Sequence, residues 1–415
     1  MAALSRSAAV TAFIGFLAVV AFICWLGPLT PEVIKAPERA SEIMPKGYIW
    51  RVPDIIRSKH GNELVMLGSS VLFIPNLLAD GCFEGVQLPF FNIVDYAEFA
   101  LKHVRAQHVE TLLFGAGGKK PQVLDLSTPG AFASDYEMII DKMIAVGWKP
   151  PLVVLALAPR DFIDNTMKTQ DNLMRYELRR VLGISELVHA ESLGTAAQLV
   201  NDWVAGNTAT FLRDFRSDVR RIAMFIKKRG KRPSAPSHVV VEDIPGAVQM
   251  PTLRTDDKGR MQITRSQLEG FYRGHPFGEK NKLLDLNGYN NRYNPPNFKQ
   301  FEQQAVCLDR LIGKATANGI KVVLVDMPLT EENRALLNPK LAQMYDELLS
   351  SSAQKYGLQL IRPQAHEQYS STTEFCDCCH MNAFGFHKCF SYVASQLRAN
   401  PSTARLLAAL ANKVN

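Results

Sequence analysis

Five short apolar runs, each closed by glycine, proline or serine, most constrain how this chain folds. They are "ELVMLG" (63–68), "QVLDLS" (122–127), "PLVVLALAP" (151–159), "IKVVLVDMP" (320–328) and "LQLIRP" (358–363). Runs this short and this continuously apolar read as buried strands. Segments of helical period separate them: "SSVLFIPNLLA", "ASDYEMIIDKMIAVG", "FKQFEQQAVCLDRLIGKATANG" and "AQMYDELLSSSAQKYG". Strands that alternate with helices pair in parallel, and a parallel sheet needs both faces covered. The predicted fold is therefore α/β, a three-layer α/β/α sandwich around a parallel sheet.

The alternation breaks between residues 166 and 297, where a Pro-rich connection ("KRPSAPSHVVVEDIPGAVQMP") and a polar, aromatic loop ("DLNGYNNRYNPPN") replace it. This stretch reads as an insertion or cap. The expected organisation is residues 1–27, a membrane anchor; 28–60, a juxtamembrane segment; 61–165, the first half of the core; 166–297, the insertion; and 298–415, the second half. No internal repeat is apparent.

The anchor rests on residues 8–26, "AAVTAFIGFLAVVAFICWL", an uncharged run long enough to cross a bilayer as a helix. It ends in Trp25, Leu26, Gly27 and Pro28, unlike a small-residue cleavage site, although a cleaved signal is the alternative. Arg6 precedes the run, and the charges of Glu32, Lys35, Glu38 and Arg39 cancel after it. The expectation is a single-pass membrane protein whose body is extracytoplasmic, periplasmic or extracellular. The formal charge of +7 is modest for 415 residues and concentrates in 213–232, "RDFRSDVRRIAMFIKKRGKR". A solvated helix accounts for that segment, and contact with anionic headgroups or a polyanionic substrate is the other reading. No DNA- or RNA-reading motif accompanies it, so nucleic acid is not an expected partner.

Reactive groups of parallel sheets collect at the carboxyl ends of the strands. Ser69 and Ser70 follow the first run, Gly130 the second, "APRDFIDN" the third, and "CDCCHMNAFGF" (376–386) the last. A serine hydroxyl needs a base to take its proton, and the base needs a carboxylate to fix its tautomer. Asp377 and His380 are spaced so that carboxylate and imidazole can meet across one turn. Ser70, opening a helix, sits where the helix dipole favours developing negative charge. These are the parts of an acyl-transfer site.

"LGSS", "LSTPGA", "APRDFIDN" and "DCCHMNAFGF", in this order, resemble the successive blocks of the SGNH, or GDSL-like, hydrolase superfamily. "VMLGSS" and "VVLVDMPLTEENRALL" most resemble its membrane-anchored branch, related to the proteins that D-alanylate teichoic acids and O-acetylate alginate. The likeness spans roughly residues 61–165 and 298–400. It implies an SGNH-like sandwich with Ser70 as nucleophile, His380 as general base and Asp377 as the group that orients it. The backbone N–H groups of Ser70 and Gly130 become oxyanion donors. The third block of the family offers an asparagine where this chain has Arg160, which leaves Arg160 and Asn165 as further oxyanion candidates. The resemblance implies no cofactor and no metal, a polysaccharide substrate, and a multi-pass membrane acyltransferase as a possible partner. The expected function is extracytoplasmic serine-dependent acyl transfer, as O-acetyltransferase or esterase, on a cell-envelope polysaccharide. The alternative is a catalytically inactive SGNH-like scaffold that binds glycan or assembles an envelope complex.

Other motifs have blander readings. "CDCCH" reads as a loop braced by disulfides, with Cys389, Cys82 or Cys307 as bridging partners. Its rival is a zinc site, which the adjacent Cys378 and Cys379 and the missing second Cys-x-x-Cys disfavour. "GAGGKK" (115–120) lacks the phosphate-loop spacing and reads as a surface turn. Asp161 and Asp164 read as a helix cap or as salt-bridge partners of Arg160 rather than as paired acid and base. Tyr289, Asn290, Asn291, Arg292 and Tyr293 suit sugar stacking and a plain surface turn equally.

Overall fold

The computed structural model describes residues 51–58, 63–84, 103–166 and 279–414, with a few separate positions between 174 and 262. The chain divides into two units, Met1–Lys46 with Arg179–Glu242 and Gly47–Leu178 with Asp243–Asn415. The sheet and the candidate site belong to the second. The expected anchor at 8–26 and the basic segment at 213–232 lie outside the described residues. Among the described residues, no helix is long and apolar enough to cross a membrane.

All five apolar runs form strands: β1 Leu64–Leu67, β2 Val123–Asp125, β3 Leu152–Leu157, β4 Lys321–Asp326 and β5 Gln359–Ile361. They pair in parallel in the order β2-β1-β3-β4-β5. Leu64 lies beside Val123 on one side and Leu152 on the other, which registers the centre of the sheet. Every residue of β1, β2 and β3 is buried, the environment that a continuous apolar run requires. Gln359 and Leu360 of the edge strand β5 are only half-buried.

The helices are α1 Arg51–Arg57, α2 Ser70–Phe83, α3 Gln107–Phe114, α4 Ala133–Ala145, α5 Glu279–Tyr293, α6 Phe298–Ala317, α7 Glu331–Ala335, α8 Pro339–Tyr356, α9 Pro363–His366, α10 Ala383–Ala399 and α11 Pro401–Val414. α4 packs on α6 and α6 on α8, while α2 packs on α10, which also meets α3 and α11. Two helical layers on a parallel sheet make the α/β sandwich. Local chemistry sets several ends: the Asn297 side chain caps α6 by accepting from Gln300 N–H, and Asn338 and Pro339 open α8. Gly357 closes α8 at φ 62°, where a side chain would be strained.

The stretch 285–297 corrects the expectation of a loop, because its first nine residues complete α5. Asparagine and glycine disfavour a helix here, but Tyr289 and Tyr293 are one turn apart, buried, and packed edge to face at 5.6 Å between ring centroids. Burial of two aromatic rings outweighs weak local propensity. Neither ring is placed on the surface to stack on a sugar.

Arg51 was not visible as a structural residue in the sequence. Its buried guanidinium donates to the carbonyls of His103, Asp125 and Ser127, lies 3.6 Å from the Asp125 carboxylate, and covers the Phe73 ring at 4.6 Å. Burial lowers its pKa while Asp125 opposes that shift. α1 is thus pinned to the β2 end of the sheet.

Candidate active site

The strand order reverses direction between β1 and β3, and a doubly wound sheet opens a crevice at such a point. Gly68, Ser69 and Ser70 leave β1 there, and the 3₁₀ turn Pro159–Asp161 leaves β3. The loop after β2 runs alongside, with Leu126 N–H donating to Met66 O at 2.9 Å and Thr128 N–H to Gly68 O at 2.8 Å. Gly68 has no room for a side chain: a Cβ would stand 2.9 Å from the Leu72 side chain and 3.0 Å from Ala156 O.

Ser69 occupies the cap position of α2, yet its side chain makes no capping hydrogen bond. Its hydroxyl is buried and faces Asp161 and Tyr136. Ser70 is the first helical residue and is half-buried. Its backbone N–H is among the helix's first donors, which have no intrahelical acceptor. The two serines therefore differ in role: Ser69 turns inward and Ser70 opens the helix.

Asp377 and His380 meet as their spacing suggests. His380 Nδ1 lies 2.5 Å from Asp377 Oδ2, while Oδ1 accepts the N–H groups of Cys379 at 2.9 Å and His380 at 2.6 Å. Burial pushes the Asp377 carboxyl upward, but the His380 ring and these two N–H donors hold it below its ordinary value. An ionised carboxylate only accepts, so the shared proton belongs to His380 Nδ1. The neutral ring then offers its lone pair at Nε2, an atom closed off from solvent. This is the tautomer that a general base toward a hydroxyl requires.

The rest of the last block has structural reasons. Asn382 caps α10 by accepting from Gly385 N–H at 2.9 Å, donates to Thr373 O at 2.8 Å, and its own N–H bonds Glu374 O at 2.9 Å. Residue 385 must be glycine, because a Cβ would fall 2.1 Å from Glu374 O. Thr330, the cap of α7, donates from Oγ1 to Cys378 O at 2.7 Å and so ties this block to the loop after β4. α10 begins three residues beyond His380 and packs on α2, which begins at Ser70.

The expected disulfide brace is corrected: Cys82, Cys307, Cys376, Cys378, Cys379 and Cys389 are all thiols. Hydrogen bonds brace the loop instead. Cys376 Sγ reaches His380 O at 3.3 Å, and Cys379 Sγ reaches Tyr289 Oη at 2.8 Å. Asp377, Cys379 and His380 nevertheless bring one carboxylate oxygen, one sulfur and one ring nitrogen within 4.8 Å of one another. Two light-atom ligands of tetrahedral zinc stand about 3.3 Å apart, from bond lengths of about 2.0–2.1 Å. The 2.5 Å between Nδ1 and Oδ2 is a hydrogen bond, so the arrangement as it stands is a proton-sharing pair.

The further oxyanion candidates separate. Gly130 adopts φ 83° in the loop after β2, immediately before Ala131, whose carbonyl accepts from Arg160 Nη1 at 2.9 Å. Arg160 is buried, also donates from Nη2 to Asp164 at 3.2 Å, and stacks over the Phe132 ring. Burial opposes its charge, but Asp164 and Asp161 together raise its pKa. Arg160 thus buttresses the Gly130 turn. Asn165 is exposed, and its amide donates to Pro295 O at 2.7 Å and accepts from Asn297 at 3.3 Å. The structure joins Asn165 to the turn after α5. Asp164 binds Arg160 and Arg292, the salt-bridge reading of that acid, and Asp161 Oδ2 accepts Ala158 N–H at 3.1 Å, the capping one.

The sequence reading named Tyr289 without its place beside Cys379, and missed Thr330 and Tyr136. The i, i+4 tyrosine pair and the "TEEN" helix start were signals for the first two. Burial pushes Asp161 up to about 6 against the pull of Arg160, while Tyr136 is driven well above its usual value. Comparison with protein-family models and with curated proteins finds no match to the chain.

Proposed function

We propose that the chain is an SGNH-like enzyme that transfers an acyl group, by way of Ser70, to or from a cell-envelope polysaccharide. The observation that carries this reading is the Asp377–His380 pair, which leaves Nε2 as the proton acceptor, on the block leading into the helix packed against the Ser70 helix. Ser70 Oγ attacks the acyl carbonyl and gives its proton to His380 Nε2. The backbone N–H groups of Ser70 and Gly130 receive the oxyanion. The leaving alcohol takes the proton back, and a second hydroxyl, from water or a sugar, repeats the sequence in reverse.

The remaining parts of the proposal rest on the sequence: an anchor at residues 8–26, an extracytoplasmic body, and operation beside a multi-pass membrane acyltransferase. They favour transfer to a sugar hydroxyl over hydrolysis. The second reading is an inactive scaffold, favoured by one observation: Arg160, in place of the family's asparagine, spends its donors on Ala131 O and Asp164.

A serine-reactive fluorophosphonate separates the two. Labelling of the wild type that disappears in Ser70→Ala and in His380→Ala supports the acyl-transfer reading. Folded wild-type protein that takes up no label supports the scaffold.

A further inference from the structure

The pair that prepares the base also carries a thiol that this chemistry does not use. Cys379 Sγ lies 3.3 Å from His380 Nδ1, the atom that shares its proton with Asp377. Sulfur, nitrogen and oxygen donors therefore lie within 4.8 Å of one another on three residues of a four-residue stretch.

We propose that Asp377, Cys379 and His380 form a site for a thiophilic divalent cation of the zinc or cadmium class, and that its occupation switches the base off. The donor set of one thiolate, one imidazole and one carboxylate suits borderline and soft cations and not magnesium or calcium. Three protein ligands leave a fourth position for water. The spacing is close to what such an ion needs. Sulfur and nitrogen on tetrahedral zinc stand about 3.5 Å apart, given bonds of about 2.3 and 2.0–2.1 Å, against 3.3 Å here. The Nδ1–Oδ2 distance of 2.5 Å must open by less than about 1 Å to reach the ligand spacing.

The supporting groups are already in place. Asp377 Oδ1 is fixed by two backbone N–H groups, and the Tyr289 hydroxyl touches Cys379 Sγ, where it can donate to a thiolate. Tyr289 is itself held in the core beside Tyr293, which donates to Asn333. The Tyr289 contact is thus an outer contact of a ligand set that the acyl-transfer chemistry leaves idle.

The switch follows from proton bookkeeping on the ring. The cation takes the Nδ1 lone pair, so the ring's proton must pass from Nδ1 to Nε2. The thiol loses its own proton, giving a net release of one proton per cation bound. His380 is left as the Nε2–H tautomer, which donates and cannot accept the Ser70 proton. Occupation would silence the serine without touching it. This consequence rests on the Ser70–His380 reading above, whereas the cation site does not.

The test uses full-length protein stripped of metal and titrated with Cd2+. Bound cadmium is measured after dialysis, the thiolate-to-cadmium charge-transfer absorbance is recorded, and fluorophosphonate labelling follows. Cys379→Ser keeps the side chain's size and a hydrogen bond to Tyr289, and Cys378→Ser controls for a neighbouring thiol. The expected result is that wild type and Cys378→Ser bind cadmium, show the absorbance and lose labelling, which a chelator restores. Cys379→Ser binds one cation fewer and labels with or without cadmium. Cadmium uptake by Cys379→Ser equal to that of wild type, or none by wild type, overturns the site. Labelling that persists with Cys379-dependent cadmium bound overturns the switch. Cys379-dependent binding in a wild type that never labels supports the site and sinks the serine reading instead.

Discussion

Asp377 holds His380 twice, accepting from the ring Nδ1 at 2.5 Å with one oxygen and from the backbone N–H of the same residue at 2.6 Å with the other. The double grip fixes the ring and the proton on it. Asp377→Asn is the sharpest probe of the second effect. An amide oxygen can keep the two backbone bonds, so the loop stays folded. The amide nitrogen facing Nδ1 donates, however, and forces the proton to Nε2. Serine labelling is expected to slow by on the order of 10³–10⁴-fold, the scale of a wrong-tautomer base. A variant that labels at the wild-type rate would show that Asp377 is only a loop brace.

Ser69 and Ser70 are neighbours with different expected phenotypes. Because the buried Ser69 hydroxyl faces Asp161 and Tyr136 and makes no capping bond, Ser69→Ala is expected to cost about 1–3 kcal/mol by leaving those buried groups short of a partner, and to leave labelling in place. Ser70→Ala is expected to abolish labelling with little change in stability, since Ser70 is half-buried at the first helical position. Thermal melts and labelling of both variants check this. Label retained in Ser70→Ala and lost in Ser69→Ala would reassign the nucleophile.

What could be read from the sequence was local. Continuous apolar runs placed β1 to β5, and the i, i+3 spacing of Asp377 and His380 placed a bonded pair. What escaped depends on partners far apart along the chain. Arg51 reaches His103, Asp125 and Ser127, and Thr330 reaches Cys378, links that no periodicity announces. The 285–297 stretch misled because its asparagines and glycine speak for a turn, while its two tyrosines answer to the core. The cysteines misled because their crowding suggested bridges where backbone carbonyls and a tyrosine hydroxyl supply the partners.

Arg51 gives a stability test of a long-range link. Arg51→Ala leaves the buried Asp125 carboxylate without its guanidinium and strands three carbonyls. The expected loss is about 3–5 kcal/mol, the scale for breaking one side of a buried ion pair. Denaturant unfolding measures it. A loss under about 1 kcal/mol would mean that α1 contributes little to holding the sheet.

Gly385 and Gly357 separate two uses of glycine. Gly385→Ala drives a Cβ to 2.1 Å from a backbone carbonyl oxygen that cannot swing away, so the 374–385 loop must shift. Severe destabilisation and loss of labelling are expected together. At Gly357 the space is open and only the φ of 62° resists, so Gly357→Ala is expected to cost about 1–2 kcal/mol and spare labelling. Equal melting temperatures for the two variants would contradict the close approach at 385.

The buried carboxyls set the pH dependence of stability. Burial pushes Asp135, Asp161 and Asp326 each up to about 6, above the 3.8 of an unfolded aspartate. The folded state holds their protons more tightly, so their contribution is full below pH 3.8, is lost as pH rises through about 6, and is constant above. Asp377 has the opposite sign: its carboxyl is depressed, and its contribution is present above pH 3.8 and lost as pH falls below it. Burial and the neighbouring His108 push His387 down to about 4, so its contribution is present above pH 6.5 and lost as pH falls toward 4. His108 also faces Glu84, whose pKa is lowered despite burial by its bond to that ring. Asp161→Asn isolates one of the raised carboxyls. Its amide oxygen can still accept from Ala158 N–H, and its amide nitrogen can donate to the Ser69 and Tyr136 hydroxyls that face it. The variant is expected to gain stability relative to wild type as pH rises, by roughly 1–3 kcal/mol between about pH 4.5 and about pH 8. Denaturation midpoints at those two values decide it: an identical difference at both would mean that Asp161 keeps one charge state across the range and does not titrate between them.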